Sequence, residues 1–325
     1  MKKFSLYIIS FAATMLVACS VNEPCQKCEE ARKSQELKHV ALRLTSGASS
    51  STTKLVSDPD DESRINSCSL YVFSTDGQLF ESLVSEEPYF EFFIGGGTYD
   101  IYAFANAPQH PQTIALADNS SDNLVMTGSL QGKTISESSQ IIIGLSRMVA
   151  KVNYSVYVDI RNEILRQLDF RILSVYMTNV VGEEQTFSQG YVPDGDHWYN
   201  KRNYEPSDAD RLLYSEPDEL VASGDSLRTK STFYIFPNNC EDPEDRSGWS
   251  PRRTRFVVKA LMGSQIYYYP VTMPDVLSNH EYVISLTIRN IGYLDPEDVD
   301  VTPQAAESSI VIQAWNDGGE IEYVR

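Results

Sequence analysis

The feature that most constrains this chain is a period-two alternation of apolar and polar residues, repeated in short runs. In His39-Val-Ala-Leu-Arg-Leu-Thr45, Val40, Leu42 and Leu44 fall on one face, and Ala41, Arg43 and Thr45 on the other. Successive strand side chains point to opposite faces, so this pattern predicts a half-buried strand. His280–Arg289 alternates in the same way through Tyr282, Ile284, Leu286 and Ile288. Tyr89–Ile94 is apolar, and Ser69–Phe73, Gln78–Leu83, Tyr99–Ala105, Phe170–Val181, Thr232–Phe236, Arg255–Met262, Ile266–Val271, Ser309–Trp315 and Ile321–Val324 are further strand-like runs. Ile141–Val158 predicts one long strand, or two broken at Gly144. Asp76-Gly77 and Gly263-Ser264 are hairpin turn signals. Ile160–Leu168 is the one helix candidate. Many short strands with turns between them predict an all-β protein of antiparallel sandwiches. A chain of 325 residues is long enough for two such domains in tandem, meeting near residue 150.

The start of the chain is different. Lys2 and Lys3 precede a short apolar run, Phe4–Ala18, which is the layout of an export signal. The run is shorter than the roughly 20 apolar residues that a membrane-spanning helix needs. Leu16-Val17-Ala18-Cys19 resembles a bacterial lipobox, in which the signal is cut before the cysteine and that cysteine carries lipid. The expected organisation is therefore a signal over 1–18, a tether over 19–38, a first sandwich over 39–150 and a second over 151–325. The net charge is −18, which argues against a nucleic-acid groove.

Motifs that would carry catalysis are missing from the pattern. No two of His39, His110, His197 and His280 have metal-ligand spacing, and none adjoins a nucleophile in a local motif. Cys25-Gln-Lys-Cys28 stands alone in the tether, so a four-cysteine zinc site has no second half; Cys68 and Cys240 are distant in sequence. Gly95-Gly-Gly97 precedes a strand and reads as a turn. The acidic stretches Asp58–Glu62 and Glu241–Asp245 lack calcium-loop spacing and read as solvated loop charge. No enzyme activity, cofactor or metal is expected.

The order of several segments resembles the fimbrillin family, the pilins of the Bacteroidetes type V pilus. The matching pieces are the lipobox at Cys19, Ser67-Cys-Ser-Leu-Tyr-Val-Phe-Ser-Thr-Asp-Gly77, Thr98-Tyr-Asp-Ile-Tyr-Ala-Phe-Ala-Asn106, Leu145-Ser-Arg-Met-Val-Ala-Lys-Val152, Phe233-Tyr-Ile-Phe-Pro-Asn238, Tyr269-Pro-Val-Thr-Met-Pro274 and Ile310-Val-Ile-Gln-Ala-Trp-Asn316. The resemblance implies that the two sandwiches in tandem are transthyretin-like, in a surface-exposed outer-membrane lipoprotein that becomes part of a fimbrium supporting adhesion. Its lipid partner would be held through Cys19 before cleavage. A trypsin-like protease would cut the loop after the first strand, at Lys54 or Arg64. The removed strand would carry Val40, Leu42 and Leu44, and a neighbouring subunit would fill the vacated groove. The donor candidate is the C-terminal strand, through Ile310, Ile312 and Ala314 or the opposite face with Val311 and Trp315. Other pilus subunits, in a homo- or hetero-polymer, are the expected partners. A lipid-retaining anchor or tip subunit of the same family is the alternative, as is a surface carbohydrate-binding lipoprotein using Tyr267–Tyr269 or His197–Tyr199.

Overall fold

The computed structural model describes residues 37–46, 61–108, 111–187, 197–201, 211–244, 250–296, 300, 302–315 and 322–324. The strands of the first half are β1 (Lys38–Ser46), β2 (Cys68–Ser74), β3 (Leu79–Ser85), β4 (Tyr89–Ile94), β5 (Gly97–Ala105), β6 (Thr113–Ala115), β7 (Met126–Ile135) and β8 (Ser139–Arg147). They continue with β9 (Ala150–Val158), β10 (Phe170–Thr178), β11 (Val180–Val181), β12 (Glu183–Gln185), β13 (Trp198–Tyr199), β14 (Tyr214–Ser215), β15 (Glu219–Leu220) and β16 (Phe233–Ile235). The last are β17 (Arg255–Met262), β18 (Gln265–Thr272), β19 (His280–Ile288), β20 (Ala306–Ala314) and β21 (Glu322–Val324). The protein is all-β.

The first sandwich is one continuous path, β3-β2-β5-β7-β8-β1-β4, folded over on itself at the β7–β8 crossing. That crossing is short, joining only Met126 to Arg147 and Thr127 to Ser146. The two halves close over Leu70, Val72, Ile101 and Ala103 from one side and Leu42, Phe92, Ile94 and Ile143 from the other. At the fold, Gly128 lies so close to the Gly144 carbonyl that a Cβ there would sit 2.4 Å from it. Gly128 thus has no room for a side chain, while Gly144 lies inside β8, so of the two alternatives for Ile141–Val158 the break at that glycine is absent. The chain breaks instead at Met148–Val149, where it leaves one sandwich for the other. Turn chemistry holds where it was expected. Gly77 and Gly263 have φ of 82° and 62°, in the left-handed region that glycine enters without penalty.

The second sandwich sets β14-β10-β17-β18 against β16-β9-β19-β20-β21. Val152, Tyr154, Ile284 and Leu286 meet Ile172, Phe256, Val258 and Tyr269 in its core. Two parallel pairings, β1 with β8 and β9 with β19, were not anticipated from the alternation. The Ile160–Leu168 helix does not form. Only the 3-10 turn Leu165–Gln167 is present: Ile160 is buried in the second core and Leu165 packs against it, but Ile164 and Leu168 are exposed, so no single helical face is covered.

The two halves are stitched together. Ile114, Leu116, Leu124 and Val125 lie in the second core although they precede residue 150. β6 pairs with β12, setting Ile114 opposite Glu184. Beside it, Phe187 makes edge contacts with Tyr71, Phe73, Tyr102 and Phe104 at 5.2–6.0 Å. Glu184 lines a cavity of about 480 Å³ with Tyr102, Arg147 and Phe187. Burial raises its carboxyl to about 7.

Two predictions follow from the packing. Leu42→Ala should cost the first sandwich about 2–5 kcal/mol, by lost burial plus the cavity left behind; urea unfolding read on that domain checks it. For Glu184 the charged form is disfavoured in the folded state. Its penalty is absent below the unfolded carboxylate range, grows as pH rises from there to about 7, and is constant above. Glu184→Gln should thus raise stability at pH 8 by roughly 1 kcal/mol, discounted for partial solvent access, and leave it unchanged at pH 4. Paired melting curves at the two pH values check the sign.

Candidate functional site

β1 is not an edge strand. It runs antiparallel to β4, from Lys38 opposite Ile94 to Arg43 opposite Tyr89. On its other side it runs parallel to β8, from Val40 opposite Ser139 to Ser46 opposite Leu145. Both of its hydrogen-bonding edges are therefore used, and β4 and β8 do not pair with each other. Val40, Leu42 and Leu44 are buried, at 0%, 0% and 3% exposure. They sit between Phe90, Phe92 and Ile94 on one flank and Ile141, Ile143 and Leu145 on the other. Each such side chain contributes about 1.5–3 kcal/mol when it leaves water. Taking β1 away would leave two unpaired strand edges around an apolar trough, the arrangement that another strand can fill by backbone pairing and alternate pockets.

The connection from β1 to β2 crosses residues 47–60. Lys54 lies there, outside the described residues, as do Cys19, Cys25 and Cys28. Arg64 is described and its side chain is exposed, but its backbone is pinned. Asn106, buried and at φ 59°, donates from Nδ2 to the Arg64 carbonyl at 2.8 Å and accepts from the Asn66 N–H at 2.8 Å. Its own N–H donates to the Ser67 carbonyl at 3.0 Å. Asn66 also donates through Nδ2 to the Asp122 carbonyl at 2.9 Å. A protease must draw several residues around the scissile bond into an extended form, and this bracket opposes that at Arg64–Ile65.

Just upstream, Glu62 departs from its reading as solvated loop charge. Its side chain is 12% exposed and accepts a hydrogen bond from Lys151 Nζ at 2.8 Å. It also accepts from the Tyr234 hydroxyl at 2.7 Å and from Trp315 Nε1 at 3.2 Å. Burial pushes this carboxyl up, yet the bonds from Lys151, Tyr234 and Trp315 and the Lys151 charge outweigh it and hold it below the usual value. Nothing in the local sequence signals this, because the partners come from β9, β16 and the end of β20.

The C-terminal strand carries the other predicted residues. β20 pairs antiparallel with β19 along its length, from His280 opposite Ala314 to Ile288 opposite Ala306. Ile310 and Trp315 are buried at 6% and 1%, whereas Val311 and Ile312 are half-buried. β21 lies on the outer edge of β20, with Ile310 opposite Val324. The strand thus completes its own domain here, and the two predicted elements, β1 and β20, lie in different sandwiches. Of the aromatic runs, Trp198 and Tyr269 are buried in the second core and offer no exposed ring face. Among the described residues no cluster of His, Cys, Asp or Glu could hold a metal, and Cys68 and Cys240 are unbridged.

No family model matches the sequence, and no curated protein matches it. Solved structures do match in fold. A candidate cell adhesion protein from Bacteroides eggerthii DSM 20697 superposes with a TM-score of 0.64 at 15% identity, over 86% of this chain and 97% of that one. A fimbrilin from Porphyromonas gingivalis W83 does so with a TM-score of 0.59 at 15% identity, over 86% and 97%. The tip fimbrial protein Mfa3 from Porphyromonas gingivalis, in a C-terminally truncated form, gives 0.52 at 12% identity, over 86% and 100%. At these identities the likeness speaks for the architecture, and in architecture the chain is similar to the Bacteroidetes fimbrillins: it has their fold.

Proposed function

We propose that this chain is a fimbrial subunit of the fimbrillin kind, built to exchange its first strand. The observation that carries the reading is the position of β1, a centrally paired strand with a fully buried face, joined to the next strand through a long polar connection. The shared fold with a fimbrilin and with a tip fimbrial protein supports it. The subunit would be exported and lipidated at Cys19, reach the outer-membrane surface, and lose β1 to a trypsin-like protease. The trough between β4 and β8 would then accept a strand from a neighbouring subunit, with alternate apolar side chains replacing Val40, Leu42 and Leu44. The donor would come from the C-terminal strand, β20 with its edge strand β21. No step of this scheme requires a catalytic group or cofactor. A tip or anchor position is the second reading. It is favoured by one observation, that β20 is paired throughout within its own domain.

The bracket around Arg64 makes the cut at Lys54 the favoured one. Brief trypsin treatment of the lipid-free chain, with N-terminal sequencing, should give a new start at Leu55 and leave the Arg64–Ile65 bond intact. Asn106→Gly keeps the backbone angle but removes the side-chain bonds. Losing about 1.4 kcal/mol of local stability should speed cutting after Arg64 roughly tenfold. A wild-type product starting at Ile65 would contradict this assignment. On the native cell surface, intact mass should show a subunit without lipid or His39–Thr45. A lipidated chain that keeps His39–Thr45 would overturn the polymerising role and leave the anchor.

A further inference from the structure

Trp315 directly follows β20, and its indole is enclosed from several directions. Tyr234 stacks on it, with ring centroids 5.9 Å apart and planes 11° from parallel. The Arg147 guanidinium lies 4.4 Å from its ring centroid, a cation–π arrangement. The Trp315 N–H donates to the Asn279 carbonyl at 3.1 Å, and Arg147 Nη1 donates to Asn279 Oδ1 at 3.3 Å. The remaining polar atom, Nε1, donates to Glu62. Glu62 comes from the β1–β2 connection, and its carbonyl accepts from Arg147 Nε at 3.1 Å. One residue beside the loop that releases the first strand thus closes the pocket that holds the last one.

We propose that Glu62 is a clasp on the C-terminal strand: by holding Trp315, Lys151 and Tyr234 together, it keeps β20 closed on β19. The consequence for assembly rests on the strand-exchange reading. Because Asn106 pins residues 64–66 on the far side, a cut at Lys54 leaves Glu62 in place on the mature chain. A cut after Arg64 would instead carry Glu62 away with β1. Opening of the acceptor trough and release of the donor strand are then separate events, the first made by the protease and the second by opening the clasp. A subunit cut at Lys54 has a receptive trough while its own tail stays shut, which restrains tail release until a partner engages it.

The clasp is testable in the uncut monomer, so the result is independent of whether subunits polymerise. Hydrogen exchange followed by mass spectrometry would read β20 against β5 as an internal reference in wild type, Glu62→Ala and Glu62→Gln. Glu62→Ala should speed exchange across Ala306–Ala314 about tenfold or more and leave β5 unchanged. Glu62→Gln, which keeps the shape and loses the charge, should fall between. If the alanine variant loosens β5 equally, the glutamine variant decides by the same two readings. Exchange of β20 within twofold of wild type in the deciding variant would overturn the clasp. Faster exchange of β20 without any polymer after loop cutting would keep the clasp and count against strand exchange.

Discussion

A strand in the middle of a sheet satisfies backbone groups on both edges, and β1 does so against β4 and β8 at once. Because those two strands are not paired with each other, the first core depends on the strand that comes first along the chain among the described residues. An unpaired backbone group away from water costs about as much as a lost hydrogen bond. The trough therefore demands a strand, though it does not demand this one. What it specifies is an extended backbone with aliphatic side chains at alternate positions, a pattern that Ile310, Ile312 and Ala314 repeat. Stability and replaceability come from the same geometry.

The second constraint is the contact between the sandwiches. Residues before the crossover at Met148–Val149 reach into the second core through Ile114, Leu116 and Val125, while Phe187 reaches back against Tyr71 and Phe104. Glu62 adds a charged contact with a different character. A buried pair is weak support for stability in itself, but breaking one partner is costly because the other charge stays behind. Such a contact is suited to holding one arrangement until it is displaced.

Much of the architecture is legible in the sequence, for a physical reason. A sheet with one wet face writes alternation into its strands, and β1, β4, β19 and most of β5 carry it. β7 does not: between Met126 and Ile135 its residues are mostly exposed, and pairing with β5 makes it a strand. Gly128 is a second case: it has no room for a side chain because the backbone of Gly144, a strand away, comes too close. Glu62 is the clearest case. In sequence it belongs to an acidic loop; its role comes from Lys151, Tyr234 and Trp315, separated from it by 89, 172 and 253 positions. Local pattern shows which segments form strands and which strand has a buried face. Contacts assembled by the tertiary fold leave no such trace.

The most direct measurement is to tie β1 down and ask whether assembly stops. Ala41 of β1 and Glu91 of β4 are cross-strand partners on the outward face, so Ala41→Cys with Glu91→Cys can form a disulfide without entering the core. After the loop is cut, polymer formation followed by light scattering should be abolished in the oxidised protein and restored by reductant. Polymer growing at the wild-type rate with the disulfide intact would show that β1 need not leave, and would contradict strand exchange at this groove.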